Sequence, residues 1–194
     1  MRQQRGVVGI LALSIVLFAA TLFADTGESR VQTFTPATVV GVHDGDTITV
    51  RVVNAIGRIA TFSIRIIGID TPELRGPKAD RTQPYARRAQ RFLANLVLGR
   101  DVVLEREVSD LDVYDRPLFH VYLAGENGER GQSVAEALLL AGYAIADPWV
   151  PDIRNADHYA DLERQARAAH VGRWHQRLKK KSASTAGERD PSFA

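Results

Sequence analysis

The chain has 194 residues, with 25 lysine and arginine residues against 23 aspartate and glutamate residues, and it has no cysteine. This length accommodates one domain with a sizeable core plus terminal appendages, and the lack of cysteine excludes disulfides and thiolate metal sites. Outside residues 1–24 the charges balance, so a large positive surface for nucleic acid is not supported, and any such contact must come from local clusters.

Residues 1–24 have the form of an export signal. A short basic lead precedes an uncharged, mostly apolar run at 6–24, which ends at Ala24 before the polar Asp25. This order predicts a signal peptide cleaved near Ala24 and an exported protein, either secreted or periplasmic. The run also just reaches membrane-spanning length, so an N-terminal membrane anchor through residues 6–24 is the alternative.

The rest of the chain divides into a linker, a domain and a tail. Residues 25–36 are small and polar without periodicity, which predicts a linker. Residues 37–174 contain the alternating and amphipathic segments and are predicted to form a single domain. Residues 175–194 combine a lysine run with serine, threonine, glycine and proline, and we expect a disordered basic and polar tail.

Alternating apolar and polar residues predict a mainly β domain with three helices. On the strand that ends at Ile66, the alternation places Arg65 on a polar face and not in the core. Strands are predicted near 37–42, 46–53, 59–66, 102–104 and 118–123, and helices at 84–98, from Ser133 to about Gly142, and from Asn155 to Gly172.

The predicted helices are amphipathic. The first carries one apolar stripe, and Arg87, Arg88 and Arg91 lie outside that stripe. The second begins with a capping box, in which Ser133 stands three residues before Glu136. The third helix is predicted to carry Tyr159, Leu162, Ala166 and Ala169 on one side.

Residues suited to phosphodiester chemistry concentrate between Asp44 and Glu73. Asp46 and Asp70, together with nearby backbone carbonyls, are hard oxygen donors of the kind that hold Ca²⁺ or Mg²⁺. Glu73 is placed to act as a base or to orient water beside such a metal. Arg65 offers a planar fork for phosphate oxygens and stays charged near neutral pH. Each fragment alone is compatible with an ordinary turn or a solvated strand residue, but their combination indicates a catalytic site.

Three further features bear on substrate binding. The long polar loop at 72–84 carries Arg75 and Lys78, which could clamp a substrate or be ordinary solvated charges. Trp149 offers a stacking face for a base, or else is a packed loop residue. The five histidines show no metal-ligand spacing, so none is assigned to a metal or to catalysis: His43, His120, His158, His170 and His175.

Three motifs taken together resemble the staphylococcal nuclease (thermonuclease) family. They are Asp44-Gly45-Asp46-Thr47, Arg65-x4-Asp70-Thr71-Pro72-Glu73 and Tyr114-Asp115-Arg116. The similarity runs from about Ala37 to Trp174. It implies an α+β, mainly β fold: a five-stranded OB-type Greek-key barrel with about three packed helices, where strand count alone would allow other small α+β folds.

The resemblance implies a calcium-dependent nuclease that hydrolyses phosphodiester bonds of DNA and RNA with little sequence preference and leaves 3′-phosphate ends. The implied substrates are single-stranded or frayed regions, and we expect a monomer. The implied Ca²⁺ ligands are Asp46, Asp70 and the Thr71 carbonyl, the implied catalytic residues are Arg65, Glu73 and Arg116, and the implied substrate-binding residues are Tyr114, Trp149, Arg75 and Lys78.

One departure from the family pattern and two other functions follow from the same motifs. The family usually carries glycine where this chain has Asp115, and the added carboxylate could pair with Arg116 or weaken phosphate binding. One alternative function is a catalytically weak OB-fold module that binds nucleic acid. The other is a membrane-tethered interaction protein, suggested by the apolar run at 6–24 and the neutral domain.

Overall fold

The computed structural model describes residues 34–74 and 81–175. The export signal, most of the linker and the tail beyond His175 lie outside the described residues, as do Arg75 and Lys78. The described elements are β1 (Phe34–Val42), β2 (Thr47–Val53), β3 (Ile59–Ile66), β4 (Ile69–Asp70), α1 (Ala86–Val97), β5 (Asp101–Glu105), β6 (Leu118–Ala124), β7 (Arg130–Ser133), α2 (Val134–Leu140), β8 (Ile145–Ala146), α3 (Ala156–Ala168) and a 3₁₀ helix at Gly172–His175.

Five of the strands close into a barrel. β1 pairs with β2 and β5, β2 pairs with β3, and β5 pairs with β6, all antiparallel. A short parallel pairing between β3 and β6 closes the ring. This arrangement confirms the predicted mainly β fold with an OB-type barrel. β7 extends the sheet beside β6, and β4 pairs with β8 as a separate ribbon, two features that the sequence pattern did not predict.

The barrel core follows from the alternation along each strand. On β2, Ile48, Val50 and Val52 are buried in the core, whereas Arg51 and Val53 are exposed. Inward side chains of the other strands and one face of each helix complete the same cluster. Full burial of one such aliphatic side chain contributes about 1.5–3 kcal/mol, so the alternation itself specifies strand register.

The helices match their predicted positions with small differences at the ends. α2 begins as expected, because Ser133 Oγ accepts a hydrogen bond from the Glu136 backbone N–H at 3.3 Å. α1 starts at Ala86 and not at Pro84, and its buried residues include Ala89 and Leu93. The third helix is shorter than predicted: α3 ends at Ala168 and not at Gly172, and Ala169 lies exposed beyond its last turn.

The domain starts earlier than the sequence indicated. β1 begins at Phe34, and residues 34–37 pair with residues 102–105 of β5, so 34–36 belong to the barrel and not to the linker. At the other end, the 3₁₀ helix includes His175, which the sequence had assigned to the tail. Within residues 34–74 and 81–175, no helix is both long enough and apolar enough to cross a membrane.

One end of the barrel gathers the segments that carry the predicted site. Thr47, which follows the β1–β2 turn, is the register partner of Arg65 near the end of β3. α1 packs on that turn at Gly45, where an added Cβ would lie 2.6 Å from Thr71 Oγ1 and 2.8 Å from Ala89 Cβ. A side chain does not fit in that space, so the glycine lets the turn, the segment after β4 and α1 meet.

Candidate active site

Asp46 is the most enclosed acidic residue of the site, with 1% of its surface exposed. Its Oδ1 accepts hydrogen bonds from Arg65 Nη1 at 2.5 Å and from Thr47 Oγ1 at 3.1 Å. Its Oδ2 accepts from the Thr71 backbone N–H at 2.9 Å and from Thr71 Oγ1 at 2.8 Å. The carboxylate therefore ties the start of β2 to the end of β3 and to the segment after β4.

Arg65 lies between two carboxylates. Its Nη2 donates to Asp70 Oδ1 at 3.0 Å and to the Ile69 carbonyl at 3.1 Å, while Nη1 binds Asp46. The alternation of β3 predicts an outward-facing arginine, but only 12% of this side chain is exposed. Arg65 lies on the polar side of β3 and outside the hydrophobic core, as predicted, and it is largely buried because the Asp46 and Asp70 segments cover that side of the strand.

The electrostatic balance around Asp46 is unusual. Burial raises its pKa to about 7, since desolvation of the carboxylate outweighs the attraction of Arg65, and nearby Asp44 adds repulsion. Asp70 is more open, with 41% of its side chain exposed. A second positive charge in contact with both carboxylates would favour their ionised forms, which is the property expected of a cation site.

Arg116 reaches the same region from the loop before β6. Its Nε and Nη2 bind Asp112 Oδ2 at 2.7 and 2.5 Å, and its Nη1 donates to Thr47 Oγ1 at 2.9 Å. Burial alone would raise the pKa of Asp112, but the hydrogen bonds from Arg116 and Tyr114 bring this pKa below its ordinary value. Thr47 thus joins Arg116 to Asp46 through two consecutive hydrogen bonds.

The carboxylate next to Arg116 in sequence is not the one that pairs with its guanidinium. Asp115 is exposed and has a backbone φ of 60°, whereas Asp112, four residues before Arg116, makes the ion pair. A left-handed conformation suits glycine best and aspartate tolerably. The backbone therefore explains why glycine fits this position, independently of any electrostatic role.

Most of the predicted site residues border one cavity of about 230 Å³. Asp46 and Thr71 are not among its lining residues. Asp46 contacts the lining residue Arg65, and Thr71 contacts Asp46. Arg75 and Lys78 lie outside the described residues. The predicted residues that line the cavity are Arg65, Asp70, Glu73, Tyr114, Arg116 and Trp149.

The sequence analysis missed several residues that shape this cavity. Asp112 and Asp147 line it, as does Asp152, which is only 3% exposed and accepts from the backbone N–H groups of Val108 and Ser109. Asp112 had a local signal, because an aspartate two residues before a backbone N–H donor is typical of an Asx turn. Asp152 had no local signal, because the residues that donate to it lie more than forty positions away in the sequence.

The donor set fits a hard cation. Two carboxylates, Asp46 and Asp70, and the Thr71 carbonyl supply oxygen only, as Ca²⁺ prefers. In the described part of the chain, no three or more His, Cys, Asp or Glu side chains are grouped as a metal site. Any Ca²⁺ held by Asp46, Asp70 and the Thr71 carbonyl would therefore complete its coordination with water or substrate oxygens.

Comparison with known proteins identifies several relatives, two of which are named thermonuclease. A family model described as staphylococcal nuclease homologue matches residues 63–176. The thermonuclease of Staphylococcus hyicus is 30% identical over 169 residues, 87% of this chain and 92% of that protein. Protein ParB of Escherichia coli is 34% identical over 168 residues, which cover 84% of this chain and 80% of ParB. A thermonuclease of Staphylococcus intermedius is 35% identical over 85 residues, 44% of this chain and 47% of its own. These similarities support a nuclease-like hydrolase with nucleic-acid substrates.

Proposed function

The chain belongs to the staphylococcal nuclease family, and from that premise we propose that it is a calcium-dependent nuclease. It hydrolyses phosphodiester bonds of DNA and RNA with little sequence preference and leaves 3′-phosphate ends. The observation that carries this proposal is the contact chain from Asp70 through Arg65, Asp46 and Thr47 to Arg116. It brings two carboxylates and two guanidiniums to one end of the barrel, beside the cavity that Glu73 also lines.

Arg65 and Arg116 bind the phosphate and stabilise the charge that develops on its oxygens. Each guanidinium is already oriented by carboxylates, Arg65 by Asp46 and Asp70, and Arg116 by Asp112. Donors that are fixed before the substrate arrives need little reorganisation in the transition state, which is why such groups are effective in catalysis. Removal of one such donor typically costs about 10²–10³-fold in rate.

Glu73 activates the attacking water. The oxygen of this water bonds to phosphorus as its proton passes to the Glu73 carboxylate, and the bond between phosphorus and the 5′-oxygen breaks. The 5′-oxygen leaves and takes a proton from solvent water, Glu73 later returns its proton to solvent, and the phosphate stays on the 3′ side. Glu73 is half-buried and lines the cavity, which is the position that a general base requires.

Asp46, Asp70 and the Thr71 carbonyl would hold Ca²⁺. When bound, the ion supplies Lewis-acid polarisation of the phosphoryl oxygen and a template for substrate and water. Four hydrogen bonds from residues at the same end of the barrel hold the buried Asp46 in place, so an ion would meet a carboxylate whose position is already set.

Exposed aromatic residues on the cavity wall bind the nucleotide. Trp149 is 49% exposed and Tyr114 is 60% exposed, and both line the cavity. A stacked base contributes about 1–3 kcal/mol without demanding a particular sequence, in keeping with low sequence preference. Arg75 and Lys78 follow Glu73 closely in the sequence. We propose that they contact phosphates.

We also propose that the protein is exported and acts outside the cytoplasm as a monomer. The support is the basic lead and the apolar run at 6–24. The N-terminus of protein recovered outside the cytoplasm tests this: a start near Asp25 supports cleavage, and an intact Met1 in the membrane fraction would indicate an anchor at 6–24 instead. Recovery in the cytoplasm would contradict both.

The experiment for the proposed activity uses the full chain and fluorescently labelled single-stranded DNA and RNA. We expect cleavage of both with Ca²⁺, loss of cleavage with a chelator, and products that a polymerase extends only after phosphatase treatment. Tight binding without cleavage would favour the OB-fold binding module. Recovery with Zn²⁺ or Mn²⁺ but not with Ca²⁺ would contradict the proposed ligand set.

A further inference from the structure

The N-terminal half of α1 departs from the rules that stabilise helices. Its N-cap residue is Tyr85, which makes no side-chain capping hydrogen bond, and the first turn contains no acidic residue. That turn instead contains Arg87 and Arg88, whose positive charges oppose the helix dipole. Arg91 then stands four residues after Arg87, a spacing at which like charges repel.

The other two helices of the described structure each carry an acidic residue in the first turn, although the N-cap of α3, Asn155, makes no side-chain capping hydrogen bond. α2 is capped by Ser133 and has Glu136 in its first turn. α3 has Asp157 in its first turn and Arg167 in its last turn, both favourable to the dipole. The unfavourable charges are therefore particular to α1, and departures of this kind are expected where function and local stability conflict.

The three arginines form one exposed surface, which we call the α1 arginine face (Arg87, Arg88 and Arg91). All three are exposed, and at about 100° per residue they fall within one quarter to one third of the helix circumference, opposite the buried stripe. Among the residues described by the structure, no carboxylate forms an ion pair with any of them. The Arg88 guanidinium lies 5.0 Å from the Tyr85 ring centroid, a stacking contact that leaves its edges accessible.

The opposite side of α1 contacts the turn that precedes Asp46. Ala89, in the buried stripe, packs on Gly45 in that turn. Gln90 Nε2 donates to the His43 carbonyl at 2.8 Å, which fixes the same part of the helix to the start of the turn. Among the described residues that line the cavity none belongs to α1, so the arginine face is a separate surface.

We propose that the α1 arginine face binds the phosphate backbone of the nucleic-acid strand at a surface outside the cavity. The domain has no overall positive charge, so attraction of a polyanion must come from a local cluster, and this cluster has no acidic neighbour on its own helix. The identity of the polyanion rests on the proposed function, whereas the binding surface itself rests on the arginines and their position.

The test is the salt dependence of binding of a fluorescein-labelled oligothymidylate to the full chain, measured by anisotropy with chelator so that no cleavage occurs. Each phosphate contact contributes about 0.7 to the slope of log K against log salt for a single strand. Substitution of all three arginines, R87Q, R88Q and R91Q, is expected to lower the magnitude of this slope by about 2. Glutamine keeps the helix propensity of arginine, so the helix is expected to persist.

A matched control removes the same charge elsewhere. Arg51 and Arg58 are exposed on β2 and on the β2–β3 hairpin, and Arg164 is exposed on α3. The variant R51Q, R58Q and R164Q is expected to keep the parent slope. An equal reduction in the control would mean that the effect is general charge attraction, and it would overturn the proposal.

The remaining outcomes separate this inference from the proposed function. If the parent binds the oligonucleotide but does not cleave it with Ca²⁺, the nuclease proposal fails. The proposed role of the arginine face is then tested only by the slope of log K against log salt. A parent that does not bind, or an unchanged slope in the α1 variant, overturns the inference.

The melting temperature of the α1 variant is expected to be equal to that of the parent or higher, because charges that oppose the helix dipole are gone. A lower melting temperature with an unchanged slope would mean that the arginines stabilise the fold and do not bind the strand.

Discussion

The barrel buries two clusters of charged groups, and they differ in how their charges are balanced. The site cluster comprises Asp46, Arg65, Asp70, Asp112 and Arg116. The outer network lies on the face of β5 and β6 that points away from the core. It comprises Glu105, Glu107, His120, Arg130 and Arg154.

In the outer network each charge has a matched partner. Glu105, with no exposed surface, accepts from Arg130 Nη1 at 3.1 Å and from Arg154 Nη1 at 2.5 Å. His120 Nε2 lies 2.6 Å from Glu107 Oε2, and Arg154 also donates its backbone N–H to Glu107 Oε1. These bonds join β5 and β6 to the segment before α3, so the network is structural.

In the site cluster the balance is incomplete. Asp46 keeps a raised pKa although Arg65 contacts it, and the guanidiniums of Arg65 and Arg116 border a cavity. The comparison teaches that burial of charge does not by itself mark a functional site. The informative feature is buried charge that the protein leaves partly uncompensated and open to a ligand.

The largest expected effect is on the site side of the comparison. Glu73→Gln keeps the size of the side chain and removes the basic oxygen, so kcat for oligonucleotide cleavage should fall by about 10²–10⁴-fold. The melting temperature should change little, because glutamine has the size and shape of glutamate and the side chain is only half-buried. Glu126→Gln, an exposed change of the same kind, is the control and should keep the parent rate. A well-folded Glu73→Gln protein that cleaves at the parent rate would remove the proposed role of Glu73.

The outer network should respond in the opposite way. Arg154→Ala removes one of the arginines that pair with the fully buried Glu105, and the free energy of unfolding should fall by about 3 kcal/mol, the lower end of the range for a broken buried pair. Cleavage by the folded fraction should persist. The matched control is Arg164→Ala, which removes an exposed pair with Asp161 and should cost less than about 1 kcal/mol. Urea unfolding measures both; equal losses would contradict the distinction between buried and exposed pairs.

The two clusters should also give opposite pH dependences of stability, beginning with the site. The pKa of Asp46 is raised from 3.8 to about 7 in the folded protein. Its contribution to stability is therefore fully present below pH 3.8 and is lost as the pH rises through about 7. Ca²⁺ favours the ionised carboxylate, so stabilisation by Ca²⁺ should be largest above pH 7. Denaturant titrations with chelator and with Ca²⁺ measure this; equal Ca²⁺ stabilisation at all pH values would contradict it.

For His120 the sign is reversed. Burial lowers the pKa of this imidazole below its ordinary 6.5, with Arg154 adding to the effect, although Glu107 and Glu105 oppose it. Its contribution is present above pH 6.5 and is lost as the pH falls through the lowered value. The difference in unfolding free energy between the parent and His120→Gln should shrink with acidification. A difference that is constant with pH would show that His120 does not titrate on unfolding.

The smallest effect is expected at Asp115. Asp115→Gly relieves the left-handed backbone but increases the freedom of the unfolded chain, so the unfolding free energy should change by about 1 kcal/mol or less. Because Arg116 pairs with Asp112, the cleavage rate should stay near that of the parent. Asp112→Asn is the contrasting variant and should slow cleavage, since it removes the ion pair that orients Arg116. A large rate gain in Asp115→Gly would mean that Asp115 competes with phosphate after all.

The sequence predicted the barrel well because its signals are local. Alternation along β2 and β3 specified which residues are buried, and the Ser133 capping box specified the start of α2. The sequence did not predict β7, whose residues Arg130 to Gln132 are exposed and lack an alternating pattern. It also placed Ala169 on a helix face that ends one residue earlier.

The site was predicted as a set of residues but not as an arrangement. Periodicity placed Arg65 on the outward side of β3, yet the covering segments that bury it come from distant parts of the chain. Pairing of Arg116 with Asp112 depends on the conformation of the loop, and its bond to Thr47 depends on closure of the barrel between β3 and β6. Contacts of this kind follow from the three-dimensional fold and carry no periodic signal.

The measurement that tests the central claim most directly is the initial rate of oligonucleotide cleavage as a function of Ca²⁺ concentration for the parent and for Asp70→Asn. Asp70 is the more exposed of the two carboxylate ligands, so its replacement should leave the fold intact, as a thermal melt will verify. The account predicts a saturable Ca²⁺ dependence in the parent and a shift to higher Ca²⁺ in the variant, with part of the rate restored by excess metal. An identical Ca²⁺ requirement in the two proteins, or cleavage by the parent that survives chelation, would contradict it.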